Sequence, residues 1–245
     1  MKIVVNILYR IYQFLVMIPL IVVLTILTGL ITVIFSLIFG GKFFGYWPPH
    51  IWAKLCTWLT LVRVKVQGRE NIDPKTSYVF VANHQGAYDI FAIYGFLNHN
   101  FKWMMKIGLR KFPVIGVACA AAGHIFVDNS SPAAIRKTMD KAEKTLRDGM
   151  SVVVFPEGSR SRNGRMGRFH TGAFQLAKEF QLPVVPVTID GAYDVLSRGR
   201  WLPDYGTIKI TIHAPIAPPA DEADRRRCSD EAAEAIRTSL PARFR

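Results

Sequence analysis

A histidine and a carboxylate five positions apart, His84 and Asp89, stand in the run Asn83-His84-Gln85-Gly86-Ala87-Tyr88-Asp89. Neutral imidazole accepts a proton near physiological pH, and a neighbouring carboxylate can fix its tautomer and stabilise the imidazolium that forms. The pair has the composition of a general base and its orienting acid. On a continuous helix, residues five apart lie about 140° apart around the axis, so they face one another only across a turn. Gly86 can supply that turn.

A second group of chemically capable residues follows another apolar run. Val152 to Phe155 lead into Pro156-Glu157-Gly158-Ser159-Arg160-Ser161-Arg162, with Arg165 and Arg168 close behind. Guanidinium groups match phosphate oxygens with paired, charge-assisted hydrogen bonds that an ammonium cannot reproduce. Arg160 is the first candidate for a phosphate ligand, and the other arginines read as a solvated rim.

From Arg63 onward, short apolar runs alternate with amphipathic stretches, the pattern of an α/β domain. Strands are predicted at 62–66, 78–82, 101–105, 125–127, 152–155, 184–189 and 207–212, and helices at 90–97, 114–122, 132–147, 171–180 and 221–240. His84 and Arg160 would then each follow a strand. Pro132 suits a first helical turn and Gly149 lies past the helix end.

The first 62 residues differ in character. No charge occurs from Ile11 to Gly41, and ~20 apolar residues suffice to span a hydrocarbon core as a helix. The stretch is too long for the apolar region of a cleaved signal peptide, roughly 7 to 15 residues. A membrane anchor is predicted, either a tilted span or a re-entrant hairpin bent at Pro19, Gly29 or Gly40-Gly41. Pro48-Pro49 should break the chain before an interfacial helix at 51–61. The organisation is therefore a membrane-associated helical segment, 1–62, and an α/β domain, 63–245.

The formal net charge is +13, with +5 from residues 1–63 (Lys2, Arg10, Lys42, Lys54, Arg63). An anionic membrane surface or a phosphorylated substrate suits that balance, and nucleic-acid binding rests on charge alone. Cys56, Cys119 and Cys228 lie far apart and form no CxxC pair, so neither a disulfide framework nor a structural zinc site is suggested, and a reducing cytosolic location fits. No G-x-S-x-G, H-E-x-x-H, G-x-x-x-x-G-K-[ST] or G-x-G-x-x-G motif is present, which disfavours serine hydrolase, metallohydrolase and nucleotide-binding readings. His50, His99 and His213 lack a motif; His124 and His170 are open between packing, phosphate contact and no role, with structural roles favoured.

The pair NHQGAYD and FPEGSRS resembles the HX4D and FPEGTRS signatures of the glycerolipid acyltransferase family. Further similarities come in family order: Lys106 with Pro113 and Gly116, GHIFVD at 123–128, FHTGAF at 169–174 and LPVVPV at 182–187. The resemblance covers roughly residues 65 to 190. It implies a mixed sheet flanked by helices, and acyl transfer from acyl-CoA or acyl carrier protein to the free hydroxyl of lysophosphatidic acid, giving phosphatidic acid. No metal and no permanently bound cofactor is implied. By the same resemblance His84 is the base, Asp89 its partner, and Glu157, Gly158, Arg160 and Lys106 belong to the acceptor phosphate site; the basic residues are expected to place that site at the cytoplasmic face of the inner membrane. Three positions depart from the pattern: Asn129 where many members have arginine, Gly108 where many have an acid, and His170 where many have lysine. They leave room for another acceptor, such as glycerol 3-phosphate, another lysophospholipid or a lyso-aminolipid, or for a non-catalytic tether on the same fold.

Overall fold

A computed structural model describes residues 2–245. Its first feature is a single helical rod. Helix α1 (Lys2–Tyr12) passes through a π-helical turn (Gln13–Met17) into α2 (Ile18–Phe39) without leaving helical backbone angles. Pro19 falls in the first turn of α2, just after the π turn, where a missing N–H is tolerated. The stretch Ile3–Phe39, 37 residues, is long and apolar enough to cross a membrane. At 1.5 Å per residue it measures roughly 55 Å, nearly twice a ~30 Å hydrocarbon core.

The rod is docked lengthwise. Tyr9 and Tyr12 donate their hydroxyls to the carbonyls of Thr60 and Leu59, each at 2.9 Å, and Gln13 Nε2 donates to Pro203 O at 2.6 Å. Arg10 pairs with Asp204 at 2.7 Å, and Trp52 Nε1 donates to Thr25 Oγ1 at 3.0 Å. The outward face is apolar and exposed, through Leu8, Phe14, Leu15, Leu27, Leu30 and Leu37 among others. Gly29, expected as a bend, instead lets a neighbour approach: a Cβ there would lie 2.6 Å from Val114 Cγ1.

Gly40, with φ 87°, ends α2, and α3 (Gly41–Phe44) and α4 (Trp47–Leu59) turn the chain back toward the domain. Pro48 and Pro49 lie in the first turn of α4 rather than before it, so the helix starts earlier than the proline pair suggests. His50, Ala53 and Cys56 on α4 are buried, with His50 Nδ1 donating to Tyr94 O at 2.9 Å, while Ile51 and Trp58 stay exposed. The helix thus packs on the domain along one face and presents an apolar surface on the other.

The domain is a seven-stranded sheet. In chain order come β1 (Val62–Gln67), β2 (Val79–Ala82), α5 (Tyr88–Phe96), β3 (Phe101–Lys106), a 3₁₀ turn (Ile107–Lys111), α6 (Ile115–Ala121), β4 (Ile125–Val127) and α7 (Pro132–Arg147). Then follow β5 (Ser151–Val154), α8 (Gly172–Glu179), β6 (Val184–Asp190), α9 (Ala192–Leu196), β7 (Gly206–Ile212) and α10 (Glu222–Ser239). The strand order is β1-β7-β6-β2-β5-β3-β4, with β6 and β7 antiparallel and every other pair parallel. The sheet is mixed and flanked by helices on both faces. Phe80 and Ala82 of β2 enter one core with residues of α4, α5 and α9, whereas Val79 and Val81 enter the other with residues of α7, α8 and α10. That alternation explains why the central strands are apolar throughout: both of their faces are covered.

Candidate active site

Strands β2 and β5 are parallel neighbours at the centre of the sheet, so the segments that follow them leave from the same carboxyl edge. This brings together residues 73 apart in sequence: Glu157 Oε1 accepts a hydrogen bond from His84 N at 2.7 Å. Ser161 N donates to His84 O at 2.8 Å, closing a second link between the two segments. On the other side, the Asn83 amide exchanges two 2.8 Å hydrogen bonds with the backbone of Ile189 on β6. The backbone around His84 is thereby pinned from both neighbouring strands.

His84 Nδ1 lies 2.8 Å from Asp89 Oδ2. Since the carboxylate accepts, Nδ1 carries the proton and Nε2 presents its lone pair. Asp89, in the first turn of α5 and fully buried, also accepts from Gln85 N at 2.7 Å and Gly86 N at 2.8 Å through the same Oδ2. Among the described residues its Oδ1 has no hydrogen-bond partner. The His84 side chain is 13% exposed, so the ring is mostly enclosed without being sealed from solvent.

Gly86 serves this turn differently from expectation. It does not have a positive φ; rather, a Cβ would fall 2.3 Å from Ala192 O. Ala87 N donates to Leu196 O at 3.0 Å, and Gly86 bridges to Ser197. The requirement is close approach to the chain around α9, an element that the hydrophobic pattern did not signal.

Phe155 stacks on the His84 ring with centroids 4.0 Å apart and planes 9° from parallel, and Trp103 backs Phe155 at 5.4 Å. Neither contact was read from the sequence, where Phe155 passed as the last residue of a strand. Its position just before Pro156-Glu157-Gly158 was the available signal.

Glu157 has both oxygens occupied, Oε1 by His84 N and Oε2 by Gly167 N at 2.7 Å. Burial pushes its carboxyl up from the ordinary range, opposed by those two backbone donors. Glu157, expected in the acceptor phosphate site, has both oxygens accepting from backbone N–H groups and so ties the His84 turn to the segment around Gly167. Gly158, at φ 71°, has its open side facing the ring of His170, 3.4 Å from where a Cβ would be. The Arg160 guanidinium makes no hydrogen bond or ion pair among the described residues, leaving its donors available. Lys106 ends β3 at the same sheet edge and is exposed. Asn129 and Gly108 are also exposed, and neither adds a cation to the His84 surroundings.

His124, His99 and His213 are hydrogen-bonded within the fold. His124 is buried, accepts from Trp103 N through Nδ1 at 3.2 Å, and faces Tyr94 Oη at 3.1 Å. Because Tyr94 donates to Gly45 O at 2.8 Å, His124 Nε2 must be the donor to Tyr94. Burial and the nearby Lys102 and Lys141 keep this ring neutral. His99 meets Ser151 and His213 meets Thr188, both at 2.8 Å.

An imidazole is thus held by a buried carboxylate at the carboxyl edge of a mixed sheet, with the Arg160 segment hydrogen-bonded to the same turn. The acyltransferase family model matches residues 63–190, and the chain belongs to that family. Among its relatives, the 1-acyl-sn-glycerol-3-phosphate acyltransferase of Pseudomonas aeruginosa is 32% identical over 166 residues, covering 66% of this chain and 63% of that protein. A chloroplastic protein of the same description from Brassica napus is 31% identical over 71% of this chain. The chain spans about half the length of that plant relative, 50%. The crystal structure of the 1-acyl-sn-glycerophosphate acyltransferase from Thermotoga maritima superposes with a TM-score of 0.79 at 26% identity, covering 97% of this chain and 95% of that one.

Proposed function

We propose that this protein transfers a fatty acyl group from acyl-CoA or acyl carrier protein to the free hydroxyl of 1-acyl-glycerol 3-phosphate, producing phosphatidic acid. The observation that carries the reading is the His84–Asp89 contact at 2.8 Å, set beside Glu157 and Arg160 by adjacent parallel strands. The names of the relatives support the acceptor and the product. The rod's exposed apolar face supports a membrane location, which we assign to the cytoplasmic side of the inner membrane.

In this mechanism His84 Nε2 takes the proton of the acceptor hydroxyl as its oxygen attacks the thioester carbonyl. The tetrahedral intermediate collapses with cleavage of the C–S bond, and the imidazolium returns the proton to the departing thiolate. Asp89 remains ionised throughout, holding the ring and offsetting the positive charge it acquires. A positioned base of this kind contributes ~10² to 10⁴ in rate. Arg160 binds the acceptor phosphate, aided by Lys106 from the adjacent strand end, while Gly158 leaves space for it. Glu157 ties the base-bearing turn to the Arg160 segment.

The test is to supply the purified full chain in phospholipid vesicles with labelled acyl-CoA or acyl carrier protein and a panel of lyso-acceptors. Labelled phosphatidic acid from lysophosphatidic acid is expected. Product from a different acceptor alone would overturn the substrate assignment, and no product from any pairing would favour a non-catalytic tether.

A further inference from the structure

The segment joining β3 to β4 is unusually apolar for a surface. Ile107, Leu109, Phe112, Val114, Ile115 and Val117 are 38%, 40%, 56%, 40%, 47% and 58% exposed. Single exposed apolar residues are ordinary, but a contiguous apolar surface marks a contact with another phase or partner. This one is interleaved with exposed Lys106, Arg110 and Lys111, and no acidic residue occurs between Lys106 and Gly123. Its shape is short and stiff: a 3₁₀ turn and then α6, with Gly116 pressed against the Arg110 carbonyl, where a Cβ would come within 2.3 Å.

The surroundings identify the occupant. Val114 reaches onto Gly29 of α2, and the end of α6 lies against Gly41 and Gly45, where added Cβ atoms would come within 2.9 and 2.6 Å of the Ala122 carbonyl. The segment is therefore continuous with the rod whose outward side chains are Leu27, Leu30 and Ile34, all exposed. We propose that residues 107–117 form a second membrane-inserted surface, seated in the leaflet that holds α2, with Lys106, Arg110 and Lys111 at the level of its anionic headgroups. Apolar side chains between cations are the composition of an interfacial element, which gains from buried area and from attraction to acidic lipid together. A protein partner would need acids to meet these cations and would have to share α2's face with the bilayer.

The arrangement deepens the proposed function and, for its effect on turnover, rests on it. Lys106 begins this segment and ends β3 at the same carboxyl edge from which the segments carrying His84 and Arg160 leave. Insertion would hold that edge at headgroup depth, so that an acceptor's phosphate reaches the cations while its chain stays in the leaflet.

The experiment replaces Phe112 with the photoreactive p-benzoylphenylalanine in the full chain, reconstituted in vesicles containing a quarter phosphatidylglycerol. Irradiation followed by mass spectrometry should give lipid adducts at position 112. The same replacement at Ile135, an exposed apolar residue on the charged helix α7, should give none. Equal lipid labelling at both positions, or adducts at 112 only to a second copy of the chain, would overturn the proposal. A companion variant, Phe112→Ser with Val117→Ser, should raise the apparent KM for acceptor presented in vesicles about tenfold and leave the KM for a short-chain soluble acceptor unchanged. An equal rise for both acceptors would count against membrane seating. Absence of turnover in the wild-type chain would overturn the acyltransferase reading while the cross-linking result still decides the membrane contact.

Discussion

Replacing Asp89 with asparagine separates two services that one carboxylate performs. Asp89 Oδ2 accepts from His84 Nδ1, Gln85 N and Gly86 N, while the buried Oδ1 has no partner among the described residues. Two backbone donors fix which way a carboxamide must sit: its oxygen takes the Oδ2 position, since an NH₂ there would face N–H groups. The tautomer of His84 is then preserved, and only the charge opposite the imidazolium is lost. A hydrogen bond to a charged group contributes about 1.5–3 kcal/mol, and each ~1.36 kcal/mol is tenfold in rate, so kcat should fall roughly 10- to 150-fold. Inversion of the tautomer would cost about 10⁴ instead, as in hydrolase triads. The assay is saturating steady-state turnover on vesicles, with circular dichroism and a thermal melt as folding controls. A fall below threefold would show that Asp89 does not act on His84. A fall of 10⁴ in a folded variant would refute the orientation argument.

Four further outcomes follow from the geometry. Arg160→Ala should raise the KM for phosphorylated acceptors by about 10- to 100-fold, the worth of a charge-assisted contact, with little change in kcat; an unchanged KM would remove Arg160 from the phosphate site. Glu157→Gln presents an NH₂ to one of two backbone N–H donors, so kcat should fall about tenfold and the melting temperature should drop, with acceptor KM nearly unchanged; a selective rise in KM would instead show that Glu157 acts on the acceptor phosphate. Asn83→Ala removes both links to Ile189, two buried hydrogen bonds, and should cost about 1–3 kcal/mol of stability by denaturant titration. Lys102 donates to the carbonyls of Gly41 and Ala122, and burial lowers its pKa from 10.5 to about 8. The unfolded chain therefore holds an extra proton between those values, so stability should rise with pH from about 8 to 10.5, by on the order of 3 kcal/mol from this residue. Lys102→Met should flatten that slope, and an unchanged slope would contradict the assignment.

The chemistry was more legible than the scaffolding. His84, Asp89 and Arg160 stand out because their types are suited to the reaction and because each pair or loop is local in sequence. The α/β alternation was legible for the same reason, as strands covered on both faces are short apolar runs. What escaped was set by strand order: Asn83 reaching Ile189 and Glu157 reaching His84 depend on β2 lying between β6 and β5, which no local period encodes. Gly86 was recognised as necessary, yet for turning rather than for closeness to the Ala192 carbonyl, because a glycine in a sequence does not say which property is used. Pro19 and Gly29 were read as places where the segment could bend, with a tilted span and a re-entrant hairpin both open; helical backbone instead continues through Pro19 after a π turn, and Gly29 takes a packing contact with Val114. The docked face also means that removing residues 2–39 would strip cover from the domain, so membrane attachment is better tested by polar substitution of the outward leucines.

The central claim is that His84 Nε2 removes the proton from a lysolipid hydroxyl. It is tested most directly by comparing wild type and His84→Ala, both folded and vesicle-bound, with labelled lysophosphatidic acid and an acyl thioester. The wild type should form labelled phosphatidic acid and the variant at least a thousandfold less, while substrate binding measured by vesicle-based titration stays within a few fold. Turnover by the variant at a rate comparable to wild type would contradict the account.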